Sequence, residues 1–330
     1  MESARPTRCN TLRCYDPANG ETSMTITLDW LGCATFRLTI NDLTIFLDAY
    51  MDRVPTAPDV GLTTAQVDKA DYVLVGHSHF DHLAGADVIA RNTGAKVIGS
   101  NETARVLQEA EVADGQILRA QGGEHFRLSE DVTVRVYPSL HSCIWVGGSW
   151  KTDKMVTGHY GLTEDERAAV RDERGPGIGE RTEDPDPAEL AAMQKHMTDC
   201  LGSNEIGGAL AYMIDTPEGS IFFHDTSGVW TGVAQNLRPD LAIIAMAGRG
   251  NIDGEPIQGS LAQFVGKMSE LMRPPRIVLG HHDHWMPPMT ADMTTIDALR
   301  PVRQELANVT PRAQLLDLGF QDGTELFPGP

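Results

Sequence analysis

Hydrophobic and polar residues alternate with a period of two in the first regular part of the chain. Thr25 to Trp30 and Thr35 to Ile40 both alternate in this way, and the apolar run Leu43 to Leu47 follows closely. Such alternation is typical of strands with one buried face. Because only short turns separate the three segments, they predict an antiparallel meander. The polar, aperiodic residues 1–23 before it predict a loosely held N-terminal extension.

Beyond the meander, short apolar segments alternate with longer amphipathic ones. Strand-like patterning occurs at 72–75, 95–99, 116–137, 210–214, 220–223, 241–247 and 276–279. Helical periodicity occurs at 63–70, 83–90, 101–111, 186–200 and 260–271, and again after residue 290. Strands that alternate with helices in this manner predict an α/β architecture.

Residues 145–205 depart from this patterning. The segment combines tryptophans, glycines and a charged run, and its apolar content is too low for a core of its own. It therefore predicts a cap or lid inserted into a main domain that comprises residues 24–330. Such an insertion would cover a site or make dimer contacts, which allows a homo-oligomer. Within it, His159, Tyr160 and His196 are candidate substrate contacts, with plain surface positions as the alternative.

The composition is that of a folded protein with an acidic surface. Hydrophobic residues make up 41% of the 330 residues, enough for a sizeable core. No apolar run approaches the length of about 18 residues that a membrane span needs. The formal net charge of −19 disfavours nucleic acid because it repels polyphosphate, although two bound divalent cations would reverse the field locally. A small-molecule substrate is therefore expected.

The N-terminus and the cysteines indicate a cytoplasmic location. The segment Met-Glu-Ser-Ala-Arg-Pro-Thr-Arg at the start lacks the apolar core of a secretory signal. The five cysteines, an odd number, are scattered and form no Cys-x-x-Cys pair. They predict reduced thiols rather than a disulfide framework.

The most specific chemical signal is a His-x-His-x-Asp-His pattern behind a short apolar strand. It comprises His77, His79, Asp81 and His82. Imidazole and carboxylate are the ligands that zinc and similar divalent ions prefer. Two histidines two residues apart can face one ion from an extended segment, whereas the adjacent Asp81 and His82 need a sharp turn to face a second ion. The alternative, a polar surface loop with chance histidines, leaves this spacing behind a buried strand unexplained.

This pattern resembles the metal loop of the metallo-β-lactamase superfamily. The resemblance implies a four-layer αβ/βα sandwich of the metallo-β-lactamase type, here with an inserted cap segment. It also implies further ligands at later strand ends. The implied ligands of the first ion are His77, His79 and His141, and those of the second are Asp81, His82 and His281. Asp225, behind another strand, would bridge both ions.

Alternatives remain at several of these positions. His282 competes with His281 for the last ligand because side-chain alternation along the segment favours it, and His284 is a candidate substrate contact. His224 stands where the superfamily commonly has glycine before the bridging aspartate. Asp48, at the end of the third predicted strand, is either a partner that orients a ligand histidine or an ordinary turn carboxylate.

A second resemblance concerns the meander. The segment Leu31 to Phe36, Leu-Gly-Cys-Ala-Thr-Phe, precedes a strand that ends in Leu-Asp. This pattern is similar to the branch that contains the ascorbate-6-phosphate lactonase and N-acylphosphatidylethanolamine phospholipase D families. Those families usually carry histidine where Cys33 stands, so Cys33 is interpreted as a small buried residue.

The implied ligand set predicts a binuclear metal-dependent hydrolase. Two divalent ions, zinc by ligand type with manganese or iron as alternatives, would share a hydroxide that attacks a small-molecule lactone or ester carbonyl. Asp81 would be catalytic, orienting that nucleophile or carrying its proton. The main alternative is a phosphodiesterase acting on a small or lipid phosphodiester. An alternative of another class is a non-catalytic metal-binding scaffold.

The same resemblance disfavours two other activities. Redox di-iron relatives would be expected to carry glutamate where His79 stands. Relatives that hydrolyse β-lactams generally lack the bridging aspartate, so Asp225 argues against antibiotic hydrolysis.

Overall fold

Two mixed sheets, each of seven strands, form the centre of the fold in the computed structural model, which describes residues 24–143, 186–257 and 259–327. The strands of the described part are β1 (Ile26–Trp30), β2 (Phe36–Ile40), β3 (Leu43–Leu47), β4 (Tyr72–Leu74), β5 (Lys96–Gly99), β6 (Ile117–Arg119), β7 (His125–Arg127), β8 (Thr133–Pro138), β9 (Leu210–Thr216), β10 (Gly219–His224), β11 (Gly228–Val229), β12 (Leu241–Ala245), β13 (Asn251–Ile252), β14 (Glu255–Pro256), β15 (Arg276–Gly280), β16 (Gln314–Leu316) and β17 (Thr324–Glu325). Its α-helices are α1 (Phe80–Leu83), α2 (Ala86–Thr93), α3 (Asn101–Glu109), α4 (Pro187–Asp199), α5 (Thr231–Ala234), α6 (Leu261–Met272) and α7 (Ile296–Val309).

Two of the predicted segments fall mainly on residues outside these ranges. The predicted N-terminal extension, 1–23, lies wholly outside the described residues. Of the predicted cap, residues 145–185 lie outside them as well, and with them His159 and Tyr160. The remainder of the predicted cap contains α4, which begins after Asp186 as the sequence predicts, because that carboxylate accepts a hydrogen bond from the Ala188 backbone N–H.

Each sheet combines a parallel half with an antiparallel half. The first has the order β17-β1-β2-β3-β4-β5-β6, and the predicted meander β1-β2-β3 is confirmed as its antiparallel part. From β3 to β6 the strands run parallel. The second sheet has the order β16-β15-β12-β10-β9-β8-β7, parallel from β16 to β10 and antiparallel from β10 to β7. A small third sheet joins β11, β13 and β14.

Apolar side chains fill three interfaces between four layers. The inner faces of the two sheets meet through residues such as Leu38 and Phe223, which are fully buried. Ile89 of α2 packs on the outer side of the first sheet, whereas Phe264 of α6 and Leu299 of α7 pack on the outer side of the second. Burying one such side chain fully contributes about 1.5–3 kcal/mol. The predicted αβ/βα sandwich is confirmed.

Two predicted helices differ from the structure. Residues 63–70 form only one 3₁₀ turn, Thr64–Gln66. The Asp52 carboxylate accepts hydrogen bonds from the backbone N–H and the hydroxyl of Thr64. The chain is extended at Val67, because the side chain of Val67 packs into the core. The run 83–90 is divided between α1 and α2 at Gly85, which has a φ of 95°. A Cβ there would lie 2.6 Å from the carbonyl oxygen of Ala49, so this sharp change of direction needs glycine.

The parallel strands direct their carboxyl ends to one edge of the sandwich. β3 and β4 of the first sheet end there, as do β10 and β15 of the second. β8 ends at the same edge, because β8 and β10 both pair antiparallel with β9. Polar residues that follow these strands are therefore brought together from distant parts of the sequence.

In the part of the chain that the structure describes, none of the helices has the length and apolar character that crossing a membrane requires.

Candidate metal centre

Three histidines form a compact group at this edge of the sandwich. His77 and His79 follow β4, and His141 follows β8. One ring nitrogen of each lies within 4.8 Å of the others, and His77 Nε2 lies 3.1 Å from His79 Nδ1. The structure thus brings together all three residues predicted for the first ion.

The protonation states of these histidines suit metal binding. Burial lowers the pKa of His77 well below its ordinary value and that of His141 to about 2. His141 Nδ1 lies 2.8 Å from the carbonyl oxygen of Ser142. Because that oxygen can only accept, Nδ1 of His141 carries the proton and Nε2 keeps a lone pair. A neutral imidazole with a free lone pair is the form that coordinates a cation.

The three residues predicted for the second ion also lie in contact. Asp81 Oδ2 is 3.2 Å from His281 Nε2 and 3.4 Å from His82 Nε2. Burial acts to raise the pKa of Asp81, but His82 and His281 outweigh it and hold this pKa well below its usual range. Asp81 is therefore an ionised carboxylate in a buried setting.

Asp48 contacts His82 of this second group through Nδ1, the ring nitrogen that does not face Asp81. Its Oδ2 is 2.8 Å from His82 Nδ1, and its Oδ1 accepts a hydrogen bond of 2.9 Å from the Gly76 backbone N–H. Of the two alternatives for Asp48, the structure shows the partner of a candidate ligand histidine. The contact directs His82 Nε2 toward Asp81 and fixes the ring.

The Asp225 carboxylate lies between the two groups. Asp225 Oδ2 is 2.7 Å from His77 Nδ1 and 3.2 Å from His82 Nδ1. Gly76 allows this approach, because a Cβ on Gly76 would lie 2.1 Å from the same oxygen. Asp225 therefore contacts one histidine of each predicted ligand group.

Of the two competing histidines after β15, only one joins the centre. His281 contacts Asp81, whereas the ring of His282 stacks on Trp30 with the ring centroids 4.6 Å apart and the planes at 4°. His284, a predicted substrate contact, is half-buried, and its Nδ1 lies 3.4 Å from the Thr290 hydroxyl. His284 belongs to none of the candidate ligand groups in the described residues.

His224, immediately before Asp225, is buried and does not take part in these groups. Its Nε2 lies 2.9 Å from the Ser139 hydroxyl. Burial lowers the pKa of His224 to about 4, so the ring is neutral. At the position where the resemblance implies glycine, this chain thus has a buried histidine that connects β10 to the end of β8.

Cys33 is buried, as the sequence predicts, but sequence reasoning missed its place beside Asp81 and His281. Its Sγ forms a third candidate ligand group with Asp81 and His281, with the ligand atoms within 4.8 Å of one another. Burial, and after it the charges of Asp81 and Asp283, raise the pKa of this thiol well above its ordinary value. The signal that pointed to it was its place in the Leu-Gly-Cys segment, where similar families carry a histidine.

An aromatic wall adjoins the second group and was also missed. The rings of Tyr50, Phe80 and Trp285 lie 5.7 to 6.4 Å apart, and Trp285 is 4.8 Å from the His281 ring. The Tyr50 hydroxyl lies 2.8 Å from Nε2 of His196 on α4. Helix α4 therefore packs against this aromatic wall.

The donor set fits divalent cations. Nitrogen and carboxylate oxygen donors at these separations suit zinc and its neighbours in the first transition row. Asp225 Oδ1 and His281 Nδ1 are buried and have no hydrogen-bond partner in the described part of the chain. Leaving such atoms unpaired costs about 1–3 kcal/mol each, and a cation beside Asp225 would remove the cost for its carboxylate.

Comparison with known sequences agrees with the metal-binding character of this edge. Residues 44–169 match a family described as a Beta-lactamase superfamily domain. The chain is 34% identical over 139 residues to a UPF0173 metal-dependent hydrolase from Caldivirga maquilingensis, and 34% identical over 149 residues to one from Anaeromyxobacter dehalogenans. The first alignment covers 41% of this chain and 59% of the relative, and the second covers 44% and 49%. The chain therefore spans about half the length of these curated relatives.

Solved structures share the whole architecture at low identity. Igni18, a novel metallo hydrolase from Ignicoccus hospitalis, superimposes with a TM-score of 0.55 and 15% identity, over 90% of this chain and 97% of that one. CmlA, a diiron β-hydroxylase from Streptomyces venezuelae, gives a TM-score of 0.52 with 14% identity, over 92% of this chain and 55% of that one. At such identities the likeness shows the fold and not the reaction, since one fold can hold different chemistries.

Proposed function

Because residues 44–169 match a Beta-lactamase superfamily domain, we propose that this chain is a metal-dependent hydrolase of that superfamily with a two-metal centre. The proposed ligands are His77, His79 and His141 for one ion, Asp81, His82 and His281 for the other, and Asp225 for both. The observation that carries the proposal is the Asp225 carboxylate, whose Oδ2 lies 2.7 Å from His77 and 3.2 Å from His82. One residue of each ligand group thus contacts the same buried carboxylate.

The protein groups around the centre would bind and orient the reactants. When bound, divalent ions supply Lewis acidity, which lowers the pKa of a coordinated water and polarises a carbonyl or phosphoryl oxygen. Asp81, held ionised by His82 and His281, accepts a hydrogen bond from the attacking water and so directs it. Asp48 holds the His82 ring with Nε2 toward Asp81 through the 2.8 Å contact with Nδ1.

A small lactone or ester is the proposed substrate. The net charge of −19 disfavours large anionic substrates such as nucleic acids. The aromatic wall of Tyr50, Phe80 and Trp285 stands beside the Asp81 group and suits the apolar part of an uncharged ester or lactone. Zinc is the proposed metal by donor type.

We further propose that the segment 145–205 serves as a cover for this pocket. Its described part supports the idea through α4, where Met193 is buried against the cluster that contains Tyr50 and Trp285. The contact of 2.8 Å between the Tyr50 hydroxyl and His196 Nε2 fastens the helix to the aromatic wall. His196 would then border the substrate pocket through α4.

The test uses the full chain purified without chelator. Elemental analysis should find two divalent ions per chain, and a panel of lactones, esters, thioesters and phosphodiesters should contain at least one hydrolysed carbonyl substrate. Asp81→Asn should lower kcat for that substrate about 10²-fold or more, because the acceptor that directs the water is lost. Asp42→Asn, which changes an exposed turn carboxylate, is the matched control and should keep the parent rate.

Other outcomes would replace this proposal with its alternatives. Hydrolysis confined to phosphodiesters would identify a phosphodiesterase with the same ligand set. Two bound metals without turnover of any substrate in the panel would favour the non-catalytic scaffold. Equal rates for Asp81→Asn and the parent would show that the role given to Asp81 is wrong.

A further inference from the structure

Cys33 belongs to a third group of potential metal ligands, together with Asp81 and His281. The seven ligands proposed above include Asp81 and His281 but not Cys33. Its Sγ, a carboxylate oxygen of Asp81 and a ring nitrogen of His281 lie within 4.8 Å of one another. Sγ is also 3.6 Å from the backbone carbonyl oxygen of Asp81. Cys33 is fully buried, so its side chain is directed into the protein at this point.

The backbone holds Cys33 in place from several sides. Its N–H donates a hydrogen bond of 3.0 Å to Asp283 Oδ1, and its carbonyl oxygen accepts bonds from Trp30 Nε1 and from the His281 N–H. Cys33 has a φ of 49° and His281 a φ of 60°, left-handed conformations that are costly for residues with a Cβ. Strained residues of this kind cluster at functional sites because the surroundings fix them there.

His281 takes part in this group from a buried position. It is 5% exposed, and its Nε2 faces Asp81 Oδ2 across 3.2 Å. A carboxylate, a thiol and an imidazole thus converge at one buried place. A cation is the species that satisfies all three donors together.

We propose, building on the two-metal centre proposed above, that Cys33 is a thiolate ligand of the ion held by Asp81 and His281. On binding, the S–H bond breaks, its proton passes to solvent and the sulfur lone pair forms the bond to the metal. The second position then has a sulfur donor in addition to nitrogen and oxygen, whereas the first position has nitrogen and oxygen donors alone.

A thiolate at one position makes the two positions chemically unequal. Thiolate is a soft ligand that favours zinc, cobalt and cadmium over magnesium and manganese. The Asp81 and His281 position would therefore select a thiophilic ion, while the position of His77, His79 and His141 would accept a wider range. The metal preference of the whole centre would follow from this one residue.

The first experiment records the absorption spectrum of the full chain loaded with cobalt(II). A thiolate ligand gives a sulfur-to-cobalt charge-transfer band in the near ultraviolet, which histidine and carboxylate ligands do not give. The parent should show this band with two bound cobalt ions, and Cys33→Ser should lose it. Cys200→Ser is the matched control, because Cys200 is half-buried beside His196 and outside the candidate ligand groups, and it should keep the band.

The second experiment needs no variant and so does not depend on the folding of Cys33→Ser. The parent is loaded with cadmium-113 and studied by cadmium NMR. One of two resonances should lie far downfield of the other, because a thiolate deshields cadmium more than nitrogen or oxygen donors do.

Each result decides between the two proposals. Two bound ions without a thiolate band or a downfield resonance would overturn the role of Cys33 and leave the two-metal centre intact. A band that persists in Cys33→Ser would also overturn it, since another sulfur would then be responsible. A parent chain that takes up neither cobalt nor cadmium would overturn the two-metal centre, and the thiolate proposal with it.

Discussion

The backbone N–H of His281 donates a hydrogen bond of 2.6 Å to the carbonyl oxygen of Cys33. The two residues are far apart in sequence and belong to different sheets, since Cys33 lies between β1 and β2 and His281 follows β15. Both have a left-handed φ. This bond joins the rims of the two sheets beside the candidate metal centre, so the geometry of the second ligand group depends on the packing of both sheets.

A buried ion pair stabilises the same junction. Arg53 Nη2 lies 2.5 Å from Asp283 Oδ2, and both side chains are almost wholly buried. Arg53→Ala would leave the Asp283 charge buried and unpaired, so the free energy of unfolding in urea should fall by about 3–5 kcal/mol. Arg105→Ala removes the exposed partner of Glu102 and should lower the free energy of unfolding much less, because solvent screens exposed charges. Equal losses in the two variants would contradict this account.

The double variant Arg53→Met with Asp283→Asn separates the charge from the packing. It removes both charges and keeps Oδ1 of residue 283 as an acceptor for the Cys33 N–H, which donates to Asp283 across 3.0 Å. The double variant should therefore lose less free energy of unfolding, relative to the parent, than Arg53→Ala loses. A double variant no more stable than Arg53→Ala would show that the pair acts through its shape and not its charge.

Gly76 determines whether Asp225 can reach its position. Because a Cβ on Gly76 would lie 2.1 Å from Asp225 Oδ2, Gly76→Ala must displace the carboxylate. We expect a loss of about 1–3 kcal/mol in stability from overpacking and fewer than two metals per chain by elemental analysis. Gly232→Ala, in α5, meets no atom within 4 Å and should keep the parent values. A Gly76→Ala chain with two metals would argue against Asp225 as a ligand to both.

Asp48 should set the affinity of the second metal position without contacting the ion. Asp48→Ala removes the partner of His82 Nδ1, so the ring loses its fixed orientation. We expect the affinity for one of the two zinc ions to fall about 10–100-fold in competition with a chromophoric chelator. Asp71→Ala is the control, because Asp71 accepts from the Thr44 N–H at the opposite end of the same strand. Matching affinities in these two variants would exclude the orienting role.

Local patterns were sufficient to predict the architecture and much of the candidate centre. The meander and the buried strands follow from hydrophobic periodicity, which depends on neighbouring residues alone. The convergence of His77, His141 and Asp225 was implied by the resemblance of the metal loop, and its physical basis is that each residue follows a strand that ends at the same edge. Their role as ligands stays a prediction that the experiments above address.

What the sequence did not predict depends on contacts between distant segments. Cys33 reaches the centre because its N–H bonds to Asp283, which is 250 residues away. Tyr50 meets His196 across 146 residues, so no local pattern reveals the aromatic wall or its cover. The helix predicted after residue 63 fails for the same reason, since the Asp52 carboxylate and the burial of Val67 override helical periodicity there.

The most direct test of the two-metal centre is an anomalous diffraction experiment on crystals of the purified full chain. Data are collected at the absorption edge of the metal that elemental analysis identifies. The account predicts two anomalous peaks, one among His77, His79 and His141 and one among Asp81, His82 and His281, with Asp225 next to both. A single peak, or none at this edge of the sandwich, would contradict it.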